Sequence, residues 1–231
     1  MAFVFDPPPT PSVLIDGTSD LFPVRRIFCV GRNYSAHVRE MGFDPAREAP
    51  FYFTKSPTAL FDSGGTLAYP PGTSNFHHEM ELVVAIGAAG FRVDAKNAGR
   101  LVFGYACGLD MTRRDLQLEA RDKGRPWCLG KDVEGSAVLS PIRRAAGSTP
   151  INQGRIWLTV NGAIRQNSDL GALIWSVPEL ISNLTQFYHL GPGDLIFTGT
   201  PDGVGAVVPG DEIAGGIEGV GEISLKIGPA E

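Results

Sequence analysis

Glycine and proline punctuate this chain from end to end, 29 and 18 of them in 231 residues, spread along it rather than gathered into repeats. Proline fixes φ and removes a backbone donor, and glycine opens positive φ, so their density cuts the chain into short elements joined by turns. A β-rich architecture follows. A single domain of roughly 200–250 residues is ordinary for such folds, and 43% hydrophobic residues are enough to fill its core.

The formal net charge of -5 offers no basic surface for phosphates, which argues against a nucleic-acid partner. Any anionic substrate must be held by local cations or a metal. Cys29, Cys107 and Cys128 are odd in number, widely spaced and without a C-x-x-C pair, so neither a disulfide framework nor a thiolate zinc site is expected. The first residues, Met-Ala-Phe-Val-Phe-Asp-Pro-Pro-Pro, lack a basic segment, and no apolar run approaches the ~18 residues of a membrane span. A cytoplasmic protein with no membrane partner is the expectation.

Residues 1–23, with Pro7 to Pro9, read as a proline-rich arm or irregular first segment, and residues 24–231 as one catalytic domain. A strand over 27–31 leads to Asn33, which opens a short helix over 34–41 with Tyr34, Val38 and Met41 in register, stopped by Gly42-Phe43-Asp44-Pro45. Further short strands are expected over 51–53 and 66–69. Apolar residues at Phe76, Met80, Leu82, Val84 and Ile86 predict one strand over 76–86 that buries a single face. Thr112 with Asp115 reads as a capping box opening a helix over 113–123, and Ser176 with Glu179 as another, ahead of a stripe of Leu180, Ile181, Leu184, Phe187 and Tyr188. Asn161-Gly162 between two strand-like runs signals a hairpin.

Strand alternation puts Glu79 and Glu81 on one face, about one two-residue repeat (~7 Å) apart. Neighbouring carboxylates repel unless a cation sits between them, and hard oxygen donors suit Mg²⁺ or Mn²⁺ better than zinc. Asp110, between an apolar run and a helix start, offers a third ligand. Spacing alone leaves the choice open, because Glu-x-Glu equally describes a solvated strand face and Asp110 a helix-start aspartate. His37 and Glu40 are helix neighbours in which a carboxylate can orient a general-base imidazole, yet the spacing by itself favours a surface ion pair. Arg114 and Gln117 share a helix face and read, in isolation, as solvated. The glycines of 199–205 lack the Gly-Lys-[Ser/Thr] ending of a phosphate loop. Cys107 and Cys128 have no evident histidine partner and read as packing residues.

Several of these segments recur together. Val30-Gly31-Arg32-Asn33-Tyr34 with His37 and Glu40, His77-His78-Glu79-Met80-Glu81, Asp110-Met111-Thr112-Arg113-Arg114-Asp115-Leu116-Gln117, Gly124-Arg125-Pro126-Trp127 with Lys131, Ile174-Trp175-Ser176-Val177-Pro178 and Thr198-Gly199-Thr200-Pro201-Asp202-Gly203-Val204-Gly205 stand in one order. From about residue 24 to the C-terminus the chain resembles the fumarylacetoacetate hydrolase family. The resemblance implies an α+β, mostly β fold, a mixed β-sandwich roll with a few short helices, assembled as a homodimer. It implies Mg²⁺ (or Mn²⁺) on Glu79, Glu81 and Asp110, a water-activating His37–Glu40 dyad, a catalytic Lys131, and substrate-facing Arg32, Arg114, Gln117 and Thr200. The implied activity is hydrolysis of a carbon–carbon bond in a small anionic 2,4-diketo acid.

Within the family the opening segments look most like members that hydrolyse fumarylpyruvate in gentisate breakdown. Hydrolysis of another acylpyruvate, oxaloacetate decarboxylation and a catalytically silent binding scaffold are the alternatives. Asp132-Val133-Glu134 departs from that subgroup, and its two acids would disfavour a dianionic substrate if they faced the site.

Overall fold

Turns rather than helices organise the chain. The computed structural model describes residues 3–40, 48–147 and 150–230. Its first half contains β1 (Ser12–Leu14), β2 (Leu21–Pro23), β3 (Arg26–Gly31), α1 (Ser35–Glu40), β4 (Phe51–Lys55), β5 (Leu60–Asp62), β6 (Thr66–Tyr69), β7 (Phe76–His78), β8 (Met80–Ile86), α2 (Ala95–Ala98), β9 (Val102–Asp110) and β10 (Thr112–Arg113). The second half contains α3 (Arg114–Asp122), α4 (Cys128–Lys131), β11 (Ala137–Leu139), β12 (Arg143–Arg144), β13 (Arg155–Val160), β14 (Ala163–Asp169), α5 (Val177–Phe187), β15 (Asp194–Phe197), β16 (Gly205–Val207), β17 (Glu212–Ile217) and β18 (Gly221–Ala230).

An eight-stranded mixed sheet runs β4-β3-β15-β8-β9-β11-β5, with β12 also on β9, and a five-stranded sheet runs β14-β13-β17-β18-β6. Between them Phe28, Leu82, Val84 and Leu109 meet Ile156, Leu158, Ile213 and Leu225, with Leu180, Ile181 and Leu184 of α5 closing the same core. The result is the expected mostly β, sandwich-like roll with few short helices. A small third sheet, β10-β7-β16, joins the start of α3 to the strand before the Glu79 segment. No helix among the described residues is long and apolar enough to cross a membrane.

Several local expectations held. Asn161 (φ 52°) and Gly162 (φ 76°) turn the β13–β14 hairpin through positive φ, and Ser176 and Glu179 form a reciprocal capping box. Others are corrected. The first segment is not wholly irregular: β1 and β2 form a hairpin whose Val13, Phe22 and Val24 pack under the eight-stranded sheet with Ile27, Val83 and Phe197. The expected strand over 76–86 is interrupted at Glu79, and β8 is buried on both faces because that hairpin covers the side sequence alternation left to solvent. Thr112 does not cap α3, since its residue is paired with His77 in β10 and Asp115 instead accepts from Thr73 and Ser74. Phe187 and Tyr188 are exposed at the end of α5 rather than part of its buried stripe. Asn33 does not open the helix by capping it; its amide bridges Trp175 and Thr198 instead. The expected helix stop at 42–45, with Met41, lies outside the described residues.

Candidate active site

Two neighbouring strands end where the chain concentrates its buried charge. In the β8–β9 register Met80 faces Leu109 and Glu81 faces Gly108, and the Asp110 amide donates to the Glu79 carbonyl at 2.9 Å. Glu79, Glu81 and Asp110 are all buried, and each offers a carboxylate oxygen within 4.8 Å of the other two. Among the described residues this is the one cluster of acids, histidines or cysteines that could hold a metal ion.

Three cations converge on these acids. Lys131, at the end of α4, donates from Nζ to Glu79 Oε2 (2.7 Å), Asp110 Oδ2 (2.7 Å) and Thr112 Oγ1 (2.8 Å). Arg114 pairs with Glu79 Oε1 and donates to Gln117 Oε1 at 3.0 Å. Lys55, at the end of an aromatic strand, lies 2.9 Å from Asp110 Oδ1 and donates to Ser136 Oγ at 2.8 Å and to the Lys131 carbonyl. Sequence reasoning missed Lys55, and its only signal was a charge closing the run Phe-Tyr-Phe-Thr.

Burial opposes every one of these charges, and the partners decide who keeps one. Burial alone would raise Glu79, but Lys131 and Arg114 hold it well below the usual carboxylate range. Burial would lower Lys131, and Asp110 with Glu79 more than offset it, so its ammonium is held above the usual range. Glu81 goes the other way: burial and the adjacent Asp110 and Glu79 charges push it well above the usual range, against Lys131 and a 2.7 Å bond from the Gly199 amide. Asp110 Oδ1 is buried without an aligned hydrogen-bond donor. Three hard oxygen donors, one crowded toward protonation and one with an unfilled lone pair, fit a hard divalent cation.

Above this floor, His37 Nδ1 lies 3.2 Å from Glu40 Oε2, and both Glu40 oxygens accept from the Gly203 amide at 3.1 and 3.2 Å. Gly203 needs its φ of 88°, and a Cβ there would collide with the Arg165 carbonyl. The pair is therefore no free surface ion pair: His37 is buried in the pocket wall, while Glu40 ties α1 to the glycine-rich loop. Thr200 Oγ1 accepts from Gln166 Nε2 at 2.8 Å, which leaves its hydroxyl proton available to a substrate oxygen. Gln166, also missed in the sequence, is fully buried and joins this loop to Met80 through the Met80 amide.

One cleft is thus lined by His37, Glu79, Glu81, Asp110, Lys131, Arg114, Gln117, Thr200 and Arg32. Arg114 and Gln117 are buried there rather than solvated. Phe51, Phe53 and Trp127 form an aromatic wall, with Trp127 edge-on to Phe51 at 5.3 Å and 5.8 Å from Phe53. Asp132 and Glu134 point to solvent, Asp132 accepting from the Ser56 amide, so neither acid burdens the pocket. Cys128 is exposed rather than a packing residue, whereas Cys107 is buried as expected.

Comparison with known proteins extends this picture. Residues 26–227 match the family model described as fumarylacetoacetate (FAA) hydrolase C-terminal. A fumarylpyruvate hydrolase of a Ralstonia species is 60% identical over 188 residues, covering 81% of this chain and 97% of that protein. A mitochondrial oxaloacetate tautomerase of Rattus norvegicus is 42% identical over 203 residues, covering 88% and 91%. The crystal structure of fumarylpyruvate hydrolase from Pseudomonas aeruginosa in complex with Mn²⁺ and pyruvate superposes with a TM-score of 0.96 at 49% identity, covering 99% of this chain and 100% of that one. With the family model spanning most of its length and a relative at 60% identity over 81% of it, the chain belongs to the fumarylacetoacetate hydrolase family.

Proposed function

We propose that this protein hydrolyses a carbon–carbon bond in a 2,4-diketo acid, with fumarylpyruvate as substrate and fumarate and pyruvate as products. The observation that carries the reading is the convergence, in one cleft, of the Glu79–Glu81–Asp110 cluster, the His37–Glu40 pair and the donors Lys131, Arg114, Gln117 and Thr200. The Ralstonia and Pseudomonas relatives support the substrate, and the Mn²⁺ of the latter supports Mg²⁺ or Mn²⁺ on the three acids. Cytoplasmic location, a homodimeric assembly and a place in gentisate breakdown belong to the same proposal, as does the division into an arm of residues 1–23 and a catalytic domain of 24–231.

When bound, a divalent ion supplies Lewis acidity toward the substrate's 2-oxo acid end and the negative charge that develops there. Glu40 accepts from His37 Nδ1–H, which fixes the tautomer and leaves Nε2 as the basic nitrogen. His37 takes a proton from water as the water oxygen bonds to the 4-carbonyl carbon, and delivers it to the methylene carbon when the bond between them breaks. Lys131, Arg114 and Gln117 hold the anionic 2-oxo acid end and the developing oxyanion, and Thr200 donates its free hydroxyl proton.

The test is product analysis with fumarylpyruvate and Mg²⁺, alongside an EDTA-treated control and a parallel oxaloacetate reaction. Metal-dependent release of fumarate and pyruvate is expected. Conversion of oxaloacetate alone would move the protein toward the chemistry of its tautomerase relatives, and turnover of neither would overturn the reading.

A further inference from the structure

One cleft-lining cation has no part in the chemistry above. Helix α3 carries Arg114, Gln117 and Arg121 at i, i+3 and i+7, so the three share one face, and all three line the cleft. Arg114 marks the inner end, on Glu79. Arg121 lies about 10 Å farther along the axis at 1.5 Å per residue, toward the mouth.

Arg32 lines the same cleft with its guanidinium 5.7 Å from the Phe51 ring. Burial lowers the Arg32 pKa against the attraction of Glu48, with a smaller lowering from the like charge of Arg121. Arg121 is held by Asp122, its Nε donating at 2.8 Å and Nη2 lying 2.7 Å away, so the guanidinium is steered rather than loose. Arg32 and Arg121 both line the cleft beside a wall of Phe51, Phe53 and Trp127, a flat surface suited to a planar conjugated chain. At the floor, Lys55, Lys131 and Arg114 pair with the carboxylates of the acid cluster.

We propose that Arg121, with Arg32, forms a distal anion subsite that receives the far carboxylate of an extended dicarboxylic diketo acid and selects it over uncharged-tailed acylpyruvates. The inference rests on the function proposed above and deepens it, since the inner end of the cleft treats both kinds of substrate alike. An extended diketo diacid, its carboxylates separated by five carbons, fits the reach from Arg114 to Arg121 along the aromatic wall. Arg121 acts on binding and orientation, and no proton or bond change passes through it.

The experiment compares kcat/KM of the Mn²⁺-loaded wild type and of Arg121→Gln and Arg121→Lys for a carboxylate-terminated and a methyl-terminated 2,4-diketo acid. The preference for the diacid should fall at least tenfold in Arg121→Gln and recover in part in Arg121→Lys. A ratio moved less than twofold would overturn the proposal, as would an equal fall for both substrates. A second arm is independent of turnover: calorimetry of fumarate and of its monomethyl ester binding to wild type and Arg121→Gln. Wild type should prefer the dianion at least tenfold and the variant should lose that preference; a wild type without preference sinks the subsite. If neither diketo acid is turned over while the calorimetric preference stands, the proposed reaction fails and the subsite survives.

Discussion

His37 bonds to Glu40 and is not one of the three acids of the metal cluster, so removing its imidazole leaves every carboxylate in place. His37→Ala should lower turnover about 10²–10⁴-fold, the range of general-base catalysis, while Mn²⁺ affinity measured by calorimetry stays within a few-fold. A parallel loss of metal affinity would contradict the base assignment. Lys55 is the opposite kind of residue, deep under the floor and paired with an equally buried Asp110. Lys55→Met takes one of two cations from that carboxylate, Lys131 still holding Oδ2, so the cost falls toward the lower end of the about 3–5 kcal/mol for breaking a buried pair. Urea denaturation without metal should show a loss of this order, reduced by saturating Mn²⁺; a variant with the wild-type midpoint would mean Lys55 holds nothing. The sequence could suggest Glu79, Glu81 and Asp110 because alternation and helix position speak for them. Lys55 and Gln166 were invisible because their partners lie 55 and 86 residues away, at Asp110 and Met80, and nothing local marks a charge or amide that only the sheet register buries.

Between elements, the site depends on how closely short α4 approaches α3. A Cβ on Gly130 would lie 2.7 Å from Gln117 Cβ and 2.8 Å from its backbone nitrogen, on the buried face of α3. Gly130→Ala must push α4 outward, and Lys131 is the next residue, so the ammonium leaves its three acceptors. Activity should fall at least tenfold with a smaller effect on α5; circular dichroism of a folded variant with unchanged kcat/KM would refute this coupling. The two capping-box patterns show where local sequence stops being decisive. Ser176 and Glu179 close the box that opens α5. The same pattern at Thr112 and Asp115 is overruled, because Lys131 donates to the Thr112 hydroxyl and Thr73 to the Asp115 carboxylate. Likewise β8 looked half-exposed until the β1–β2 hairpin, a non-local partner, covered its second face.

Across the whole molecule, the short-strand, mostly β roll was legible from the spacing of turn residues, whereas the order of strands was not, since β3 pairs with β15 across a separation of 168 residues. That long-range pairing lines up the Arg32 segment, the Gly199 loop and the β8–β9 ends around one charged floor, so the floor's electrostatics bear on global stability. Glu79 and Asp110 each have a cationic partner, while Glu81 has the Gly199 amide and two neighbouring carboxylates that repel it. A divalent cation relieves that repulsion only in the folded chain, because only the folded chain gathers the three acids. Binding to the folded state alone stabilises by about 2.7 kcal/mol at a ligand concentration of 100 Kd. For a chain of this size that is a rise in Tm of roughly 5–10 °C. Differential scanning calorimetry with EDTA and with saturating Mn²⁺ should differ by this amount. Glu81→Gln, which removes the repulsion together with the ligand, should lessen the rise and raise the metal-free Tm. A Tm indifferent to Mn²⁺ in the wild-type protein would mean that Lys55, Lys131 and Arg114 already neutralise the acids and leave no room for the ion.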